Sequence, residues 1–313
     1  MLTIVMYHYV RELRESRYPQ IKGISIKHFD GQLDHICNHY QVCRLSDVAA
    51  SIRGDCELPR NACVLTFDDG FIDHYETVLP RLVERQLTGA FFPVGRTVEE
   101  GIVLDVHKIQ FMLACLTDYE ALLSEIVDLT NAVLRESPIP LDVAIRSDLG
   151  SERRFDRGYI AEIKNLLQWK LPRKIRSEIT SRLFAKYVTT DEKSFASELY
   201  MELGQIREML SCGMEIGGHG YDHEWLGKLT REEQSFEIDQ TRRFLGVVFN
   251  RPAVDWVMCY PYGSYNADTL DLLSDHGVTV GLTTKPSVSD CRSALELERL
   301  DTNDLPVSGK TPA

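Results

Sequence analysis

The chain opens on an apolar, β-branched run, Thr3 to Tyr7, that suits a buried strand. Ser25 to His39 follows with helical spacing: Phe29, Leu33 and Ile36 recur on one face, and Ser25 is placed to cap the start. Asn61 to Phe67 reads as a second buried strand. Tyr75 to Gln86 is an amphipathic helix carrying Val78, Leu79, Leu82 and Val83, and Thr88 to Val94 is a third strand. Strands that alternate with helices predict a parallel α/β sheet or barrel, with active residues at the C-terminal strand ends.

The pattern changes near Gly101. From Ile102 to Ile206 the periodicity is mostly helical: Val103 to Cys115, Tyr119 to Leu134, Ile160 to Trp169 and Ile175 to Tyr187. This stretch carries too many periodic apolar positions for a linker, so it reads as an insertion between two strand-rich parts. After Gly213 the alternation resumes. Met214 to Gly217, Asp255 to Tyr260 and Val278 to Thr283 are strands; Thr230 to Phe244 and Asp268 to His276 are helices; Val307 to Ala313 reads as a frayed end. The expected organisation is one catalytic domain, with residues 1–101 and 207–305 forming the barrel and 102–206 inserted as a cap or an oligomerisation element.

Composition narrows the class. The 313 residues are 43% hydrophobic and 26% charged, ordinary for a soluble globular protein. A net charge of −12 argues against nucleic acid or an anionic membrane as the main partner, while leaving room for a local basic pocket. No apolar run is long enough to predict a membrane span. The start lacks the basic residues and small-residue cleavage site of a signal peptide. The eight cysteines contain no Cys-x-x-Cys pair, so a zinc knuckle is not expected, and without an export signal reduced thiols in the cytoplasm are the expectation.

Two motifs carry the chemistry. Asp68 and Asp69 lie in Thr66-Phe67-Asp68-Asp69-Gly70, after the apolar run Ala62 to Leu65, and His219 and His223 lie in Gly217-Gly218-His219-Gly220-Tyr221-Asp222-His223. Two imidazoles and one carboxylate suit Zn²⁺ or another divalent transition metal, with a position open for water. The second carboxylate is then available as a base on that water. Asp-Asp-Gly is also good turn chemistry, and with nine histidines one such pair is not rare. The co-occurrence of both, each after a buried strand, is what carries weight. Neighbouring strand residues point to opposite faces, so the two aspartates need a turn to divide their roles, and a helical turn would put both histidines on one face. Tyr221, Trp225 and Tyr262 flank the motifs as aromatic surfaces on which a substrate ring could stack, with core packing the better reading for Trp225. His107 and Lys108 read as exposed positions of an insertion helix.

Thr66-Phe67-Asp68-Asp69-Gly70, His219-x-x-x-His223 and Tyr260-Pro261-Tyr262-Gly263, in this order and with Met6-Tyr7-His8-x-Val10 at the start, resemble the leading motifs of NodB-type polysaccharide deacetylases, carbohydrate esterase family four. The resemblance covers residues 1–100 and 207–305. It implies a distorted (β/α) barrel of about seven strands that removes an N-acetyl group from an amino sugar. Carried over, Asp68 is the general base, Asp69, His219 and His223 hold the metal, and the backbone N–H near Tyr260 binds the oxyanion.

Three departures stand out. Gly220 replaces the usual Ser or Thr. Cys259 stands where many members carry an arginine that orients the base. No histidine follows His276, so the late histidine that serves as general acid is absent. His8 is then the candidate acid, with a structural histidine as its equal alternative. Arg299 is a candidate for contacting substrate or, with Asp301, for orienting the base or acid. The expected substrate is an N-acyl amino sugar, as a nucleotide- or lipid-linked precursor of surface polysaccharide. The alternatives are a related C–N amidase or deformylase acting on a small molecule, and a catalytically silent member that binds a sugar or a partner.

Overall fold

The computed structural model describes residues 2–136 and 158–306. The expected frayed end, 307–313, and part of the expected insertion, 137–157, lie outside the described residues. In chain order the elements are β1 (Leu2–Tyr7), α1 (Ile26–His39), β2 (Gln41–Val42), α2 (Leu45–Arg53), β3 (Ala62–Asp69), α3 (Leu79–Glu84), β4 (Ala90–Pro93) and α4 (Gly95–Glu100). Then come α5 (Asp105–Cys115), α6 (Tyr119–Glu136), α7 (Tyr159–Asn165), α8 (Arg173–Tyr187), α9 (Glu192–Leu199) and α10 (Leu203–Ser211). The chain returns to the sheet with β5 (Glu215–Ile216), α11 (Arg231–Phe249), β6 (Trp256–Cys259), α12 (Ala267–Asp275), β7 (Val278–Leu282) and β8 (Leu300–Asp301).

The described residues divide into two compact units. The first comprises Met1–Glu12, Lys22–Ile102 and Ala196–Ala313; the second comprises Leu13–Ile21 and Val103–Phe195. The second unit therefore ends at Phe195, about ten residues before the end of the helical stretch read from the periodicity, although the helices themselves continue to Ser211. The reason is that α10 buries Ile206 and Met209 in the core of the first unit.

In the first unit a parallel ladder runs β5-β4-β3-β1-β8, with β2 pairing the start of β3, and a second parallel ladder joins β6 to β7. Single bridges, Gly218 with Met258 and Leu282 with Leu297, link β5 to β6 and β7 to the approach of β8. Seven strands thus ring the unit, but continuous hydrogen-bond ladders do not close it, and this is the expected distorted (β/α) barrel. All of β1 and β3 is buried, which explains why both read as unbroken apolar runs rather than alternating ones. Inside, Tyr7 stacks on Phe67 at 5.1 Å, Phe67 on Phe91 at 4.6 Å, and Phe29 of α1 meets Tyr7 edge-on.

Local chemistry explains the boundaries. The Ser25 side chain accepts from the His28 N–H and starts α1. The predicted helix from Tyr75 opens instead on a π-helical turn, His74–Val78, before α3. The segment Leu45–Arg53 is also helical. Its first turn is satisfied from across the chain, where the Glu215 carboxylate accepts from the N–H groups of Leu45 at 2.6 Å and Ser46 at 2.9 Å.

The second unit packs Tyr18, Phe111, Phe184 and Phe195 edge-to-face in its core. His107 and Lys108 are buried here, contrary to the exposed positions expected of them. α5 has apolar residues around most of its circumference, so it is an inner helix. The Lys108 ammonium is neutralised by Glu192 at 2.9 Å and donates to the Ser181 hydroxyl at 3.1 Å.

Candidate active site

β3 delivers both carboxylates. Asp69 adopts φ +74° and Gly70 φ +70°, so the strand turns at its end and the two side chains need not alternate. Gly70 is needed for more than its φ: a Cβ there would lie 2.8 Å from both Cα and Cβ of Pro93 on β4. The turn sends Asp68 toward Arg299 and Asp69 toward the histidines.

His219 and His223 do not share a helical turn, as the spacing had suggested. Their segment is an irregular loop with Gly220 at φ +73° and His223 at φ +54°. The loop is held from behind. The Glu237 carboxylate on α11 accepts from the N–H groups of Tyr221 and Asp222, each at 3.0 Å, and burial keeps its carboxyl above the usual range. Asp222 in turn receives Arg96 Nη1 at 2.9 and 3.0 Å. Tyr221, expected at the substrate, donates its hydroxyl to Glu99 at 3.1 Å and braces the loop against α4.

Asp69 Oδ1 lies 3.3 Å from Nε2 of His219 and 3.3 Å from Nε2 of His223, and all three residues are buried. The ligand atoms of the three lie within 4.8 Å of one another. The Nδ1 of His219 faces the Cys259 carbonyl at 2.9 Å. A carbonyl only accepts, so Nδ1 carries the proton and Nε2 turns its lone pair to Asp69. In the neutral ring two lone-pair atoms would face each other, so the position between them calls for a proton or a metal cation. Burial disfavours an imidazolium at His219, yet Cys259, Asp69 and Asp68 together raise its pKa well above the ordinary value. The pocket therefore draws positive charge, and its donor set fits a divalent transition metal.

Arg299 is completely buried, so the expectation that it meets substrate is corrected. Its guanidinium holds Asp68 in a bidentate pair, Nη1 to Oδ1 at 2.9 Å and Nη2 to Oδ2 at 2.8 Å. Further contacts to the Thr283 carbonyl at 2.8 Å, Thr66 Oγ1 at 3.1 Å and Cys259 Sγ at 3.1 Å set its plane. Burial pushes the Asp68 carboxyl up, but Arg299 outweighs it and holds the pKa down at about 2. The arginine missing from position 259 is thus supplied from beside β8, and Cys259 is small enough to admit it. The sequence signal was only an arginine beside Glu298, between Leu297 and Leu300, at the edge of a strand too short to read.

His8 stands at the end of β1 with Nε2 4.0 Å from Asp68 Oδ2 and its side chain 41% exposed. The backbone N–H of Tyr260 is already committed to the Leu282 carbonyl at 3.0 Å, joining β6 to β7. It is therefore not an oxyanion donor. The Tyr262 ring meets that of His223 at 4.7 Å and stacks on Trp225 at 4.2 Å, which makes an aromatic wall beside the histidines. Trp225 is only half-buried and belongs to this wall rather than to the core.

Residues 184–281 match the family model described as polysaccharide deacetylase. The polysaccharide deacetylase-family protein YxkH of Bacillus subtilis (strain 168) is 29% identical over 97 residues, which are 31% of this chain and 34% of that protein. The poly-β-1,6-N-acetyl-D-glucosamine N-deacetylase of Escherichia coli (strain K12) is 39% identical over 62 residues, 20% of this chain and 9% of that protein. The chain therefore spans at most about a third of the length of these curated relatives. The Streptococcus pyogenes deacetylase PplD, solved in complex with acetate, superposes with a TM-score of 0.60 at 16% identity over 96% of this chain and 91% of that one, a likeness of fold. The match to the polysaccharide deacetylase family model thus lies on the histidine loop and the β6 turn, and the fold is shared along the chain with a solved deacetylase.

Proposed function

We propose that this protein is a metal-dependent hydrolase that removes the N-acetyl group from an amino sugar. One observation carries the reading: Asp69, His219 and His223 converge on a single buried point, and beside it Asp68 is held ionised by Arg299. A bound Zn²⁺ or similar ion would supply Lewis-acid polarisation of the acyl oxygen and acidify water at that point. Asp68, ionised at neutral pH and fixed in orientation, accepts the proton of the attacking water. His8, across from Asp68 and open to solvent, gives a proton to the leaving nitrogen. Because Tyr260 is committed and Pro261 has no N–H, the next donor along the turn is the Tyr262 backbone, which we assign to the oxyanion.

The Escherichia coli relative is named for N-acetylglucosamine units, and this supports an N-acetylglucosamine saccharide as substrate. The aromatic wall of Trp225 and Tyr262 suits the apolar face of such a ring. The helical unit is proposed as a self-association element, and the site is proposed to work on precursors in the cytoplasm. Among the described residues no helix is long and apolar enough to cross a membrane.

The test is release of acid, resolving acetate from formate, from N-acetylglucosamine oligomers and from nucleotide- and lipid-linked N-acetyl sugars, with zinc added or chelated. Zinc-dependent acetate from one class supports the reading and names the substrate. Formate release, or no release with zinc bound, transfers the assignment to a deformylase or a silent binder.

A further inference from the structure

A second histidine lies behind His8, and the reaction above does not use it. His74 is fully buried at the first position of the π-helical turn. Its Nε2 lies 2.9 Å from the backbone carbonyl of His8. The carbonyl only accepts, so Nε2 carries the proton and Nδ1 bears a lone pair. Burial pushes the His74 pKa down, so the ring is neutral. Nδ1 has no hydrogen-bond partner among the described residues. It sits among the rings of Phe67, Phe71 and Phe91, at centroid distances of 5.6, 5.8 and 5.7 Å.

An unpaired buried nitrogen is destabilising, so packing alone would favour leucine or phenylalanine here. The hydrogen bond to His8 is what the histidine gains. Asp73, one residue earlier, grips the same segment. Its Oδ2 accepts from Val10 N at 3.0 Å and Arg11 Nε at 2.8 Å, and its Oδ1 accepts from Arg11 Nη2 at 2.7 Å. The His8 imidazole, by contrast, is held by no side-chain hydrogen bond among the described residues, and its nearest charged neighbour is Asp68 at 4.0 Å. Its place relative to Asp68 is therefore set through the backbone that His74 and Asp73 hold.

We propose that His74, supported by Asp73, is a positioning residue that places His8 for proton delivery to the leaving nitrogen. The proposal rests on the reading of His8 as the acid. In that step the acyl C–N bond breaks, its electron pair passes to nitrogen, and the His8 proton joins it there. The proton that Asp68 takes from water replaces the one His8 gives, so the net reaction adds one water across the C–N bond.

Amide and aryl-ester substrates separate this role from a structural one. The amine of an N-acetylglucosamine oligomer needs a proton to leave, whereas the phenolate of 4-nitrophenyl acetate does not. His74→Leu is expected to lower kcat on the oligomer by about 10–100-fold, a part of the 10²–10⁴-fold that a general acid supplies. KM, aryl-acetate hydrolysis and zinc content are expected to stay within about threefold. His74→Gln keeps an N–H donor at a similar reach and is expected to restore most of the oligomer activity. Equal loss on both substrates, no loss on the oligomer, or failure of the glutamine to rescue would overturn the proposal. His8→Ala is the control. If it leaves the amide-to-ester ratio unchanged, the acid assignment itself fails; if it shifts the ratio while His74→Leu does not, only the positioning role fails. Should His74→Leu not fold, Asp73→Asn, which loosens Arg11, is read in the same way.

Discussion

Arg299→Met keeps a long side chain in a fully buried slot and removes five donated contacts: two to Asp68 and one each to Thr66, Thr283 and Cys259. The damage is dominated by what remains. Asp68 is itself buried, and breaking one side of a buried ion pair leaves an uncompensated charge that costs about 3–5 kcal/mol. At about 2–4 °C per kcal/mol for a domain of this size, the melting temperature should fall by roughly 10 °C. Asp68→Asn leaves the guanidinium stranded and should destabilise by a comparable amount. The double variant removes both charges, so its cost should be about 2–3 kcal/mol less than the sum of the singles. The assay is thermal unfolding in chelator, followed by tryptophan fluorescence; Trp225 and Trp256 report on the unit that holds the site. Additivity of the two singles to within about 0.5 kcal/mol would show that the pair is not coupled and would refute the argument.

Asp68→Asn should lose at least 10²-fold in turnover while keeping zinc, whereas His223→Ala should lose zinc as well; metal content after dialysis separates the two roles. Glu237→Ala should weaken zinc binding by about 10–100-fold because the N–H groups of Tyr221 and Asp222 lose their acceptor, while Glu237→Gln, which keeps a carbonyl oxygen there, should bind zinc nearly as the parent does. A zinc titration in which the two variants behave alike would contradict this. Gly218→Ala should destabilise the protein and lower zinc affinity, because a Cβ there meets Thr241 Cγ2 and, at 2.9 Å, the Trp256 ring; circular dichroism melting and metal titration read both effects.

Much of this organisation was legible one-dimensionally because it is local. The runs at Thr3 to Tyr7 and Asn61 to Phe67 are largely apolar, without alternation, because β1 and β3 are buried on both faces. The helical spacing of Phe29, Leu33 and Ile36 survives as the buried face of α1. Illegible were the short or externally satisfied pieces. β8 is two residues long, and α2 is started by a carboxylate about 170 positions away. Lys108 looked exposed because its partners, Glu192 and Ser181, are distant in sequence.

The sequence by itself determined the residue types of the site and their order along the strand ends: two aspartates before a glycine, two histidines in a glycine-rich loop, and a histidine after the first strand. Metal and proton chemistry demand those groups, and glycine permits the turns that bear them. Only the tertiary structure decided how they are shared out. Left-handed backbone at Asp69 and Gly70 separates the two carboxylates. An arginine 231 positions away holds Asp68, and a buried His74 holds the backbone of His8. The pairing of β6 with β7 commits the Tyr260 N–H to Leu282 and removes it from the chemistry. These are long-range pairings in which a buried donor or charge must find a partner, and which partner it finds depends on the packing of the whole barrel rather than on any neighbour in sequence.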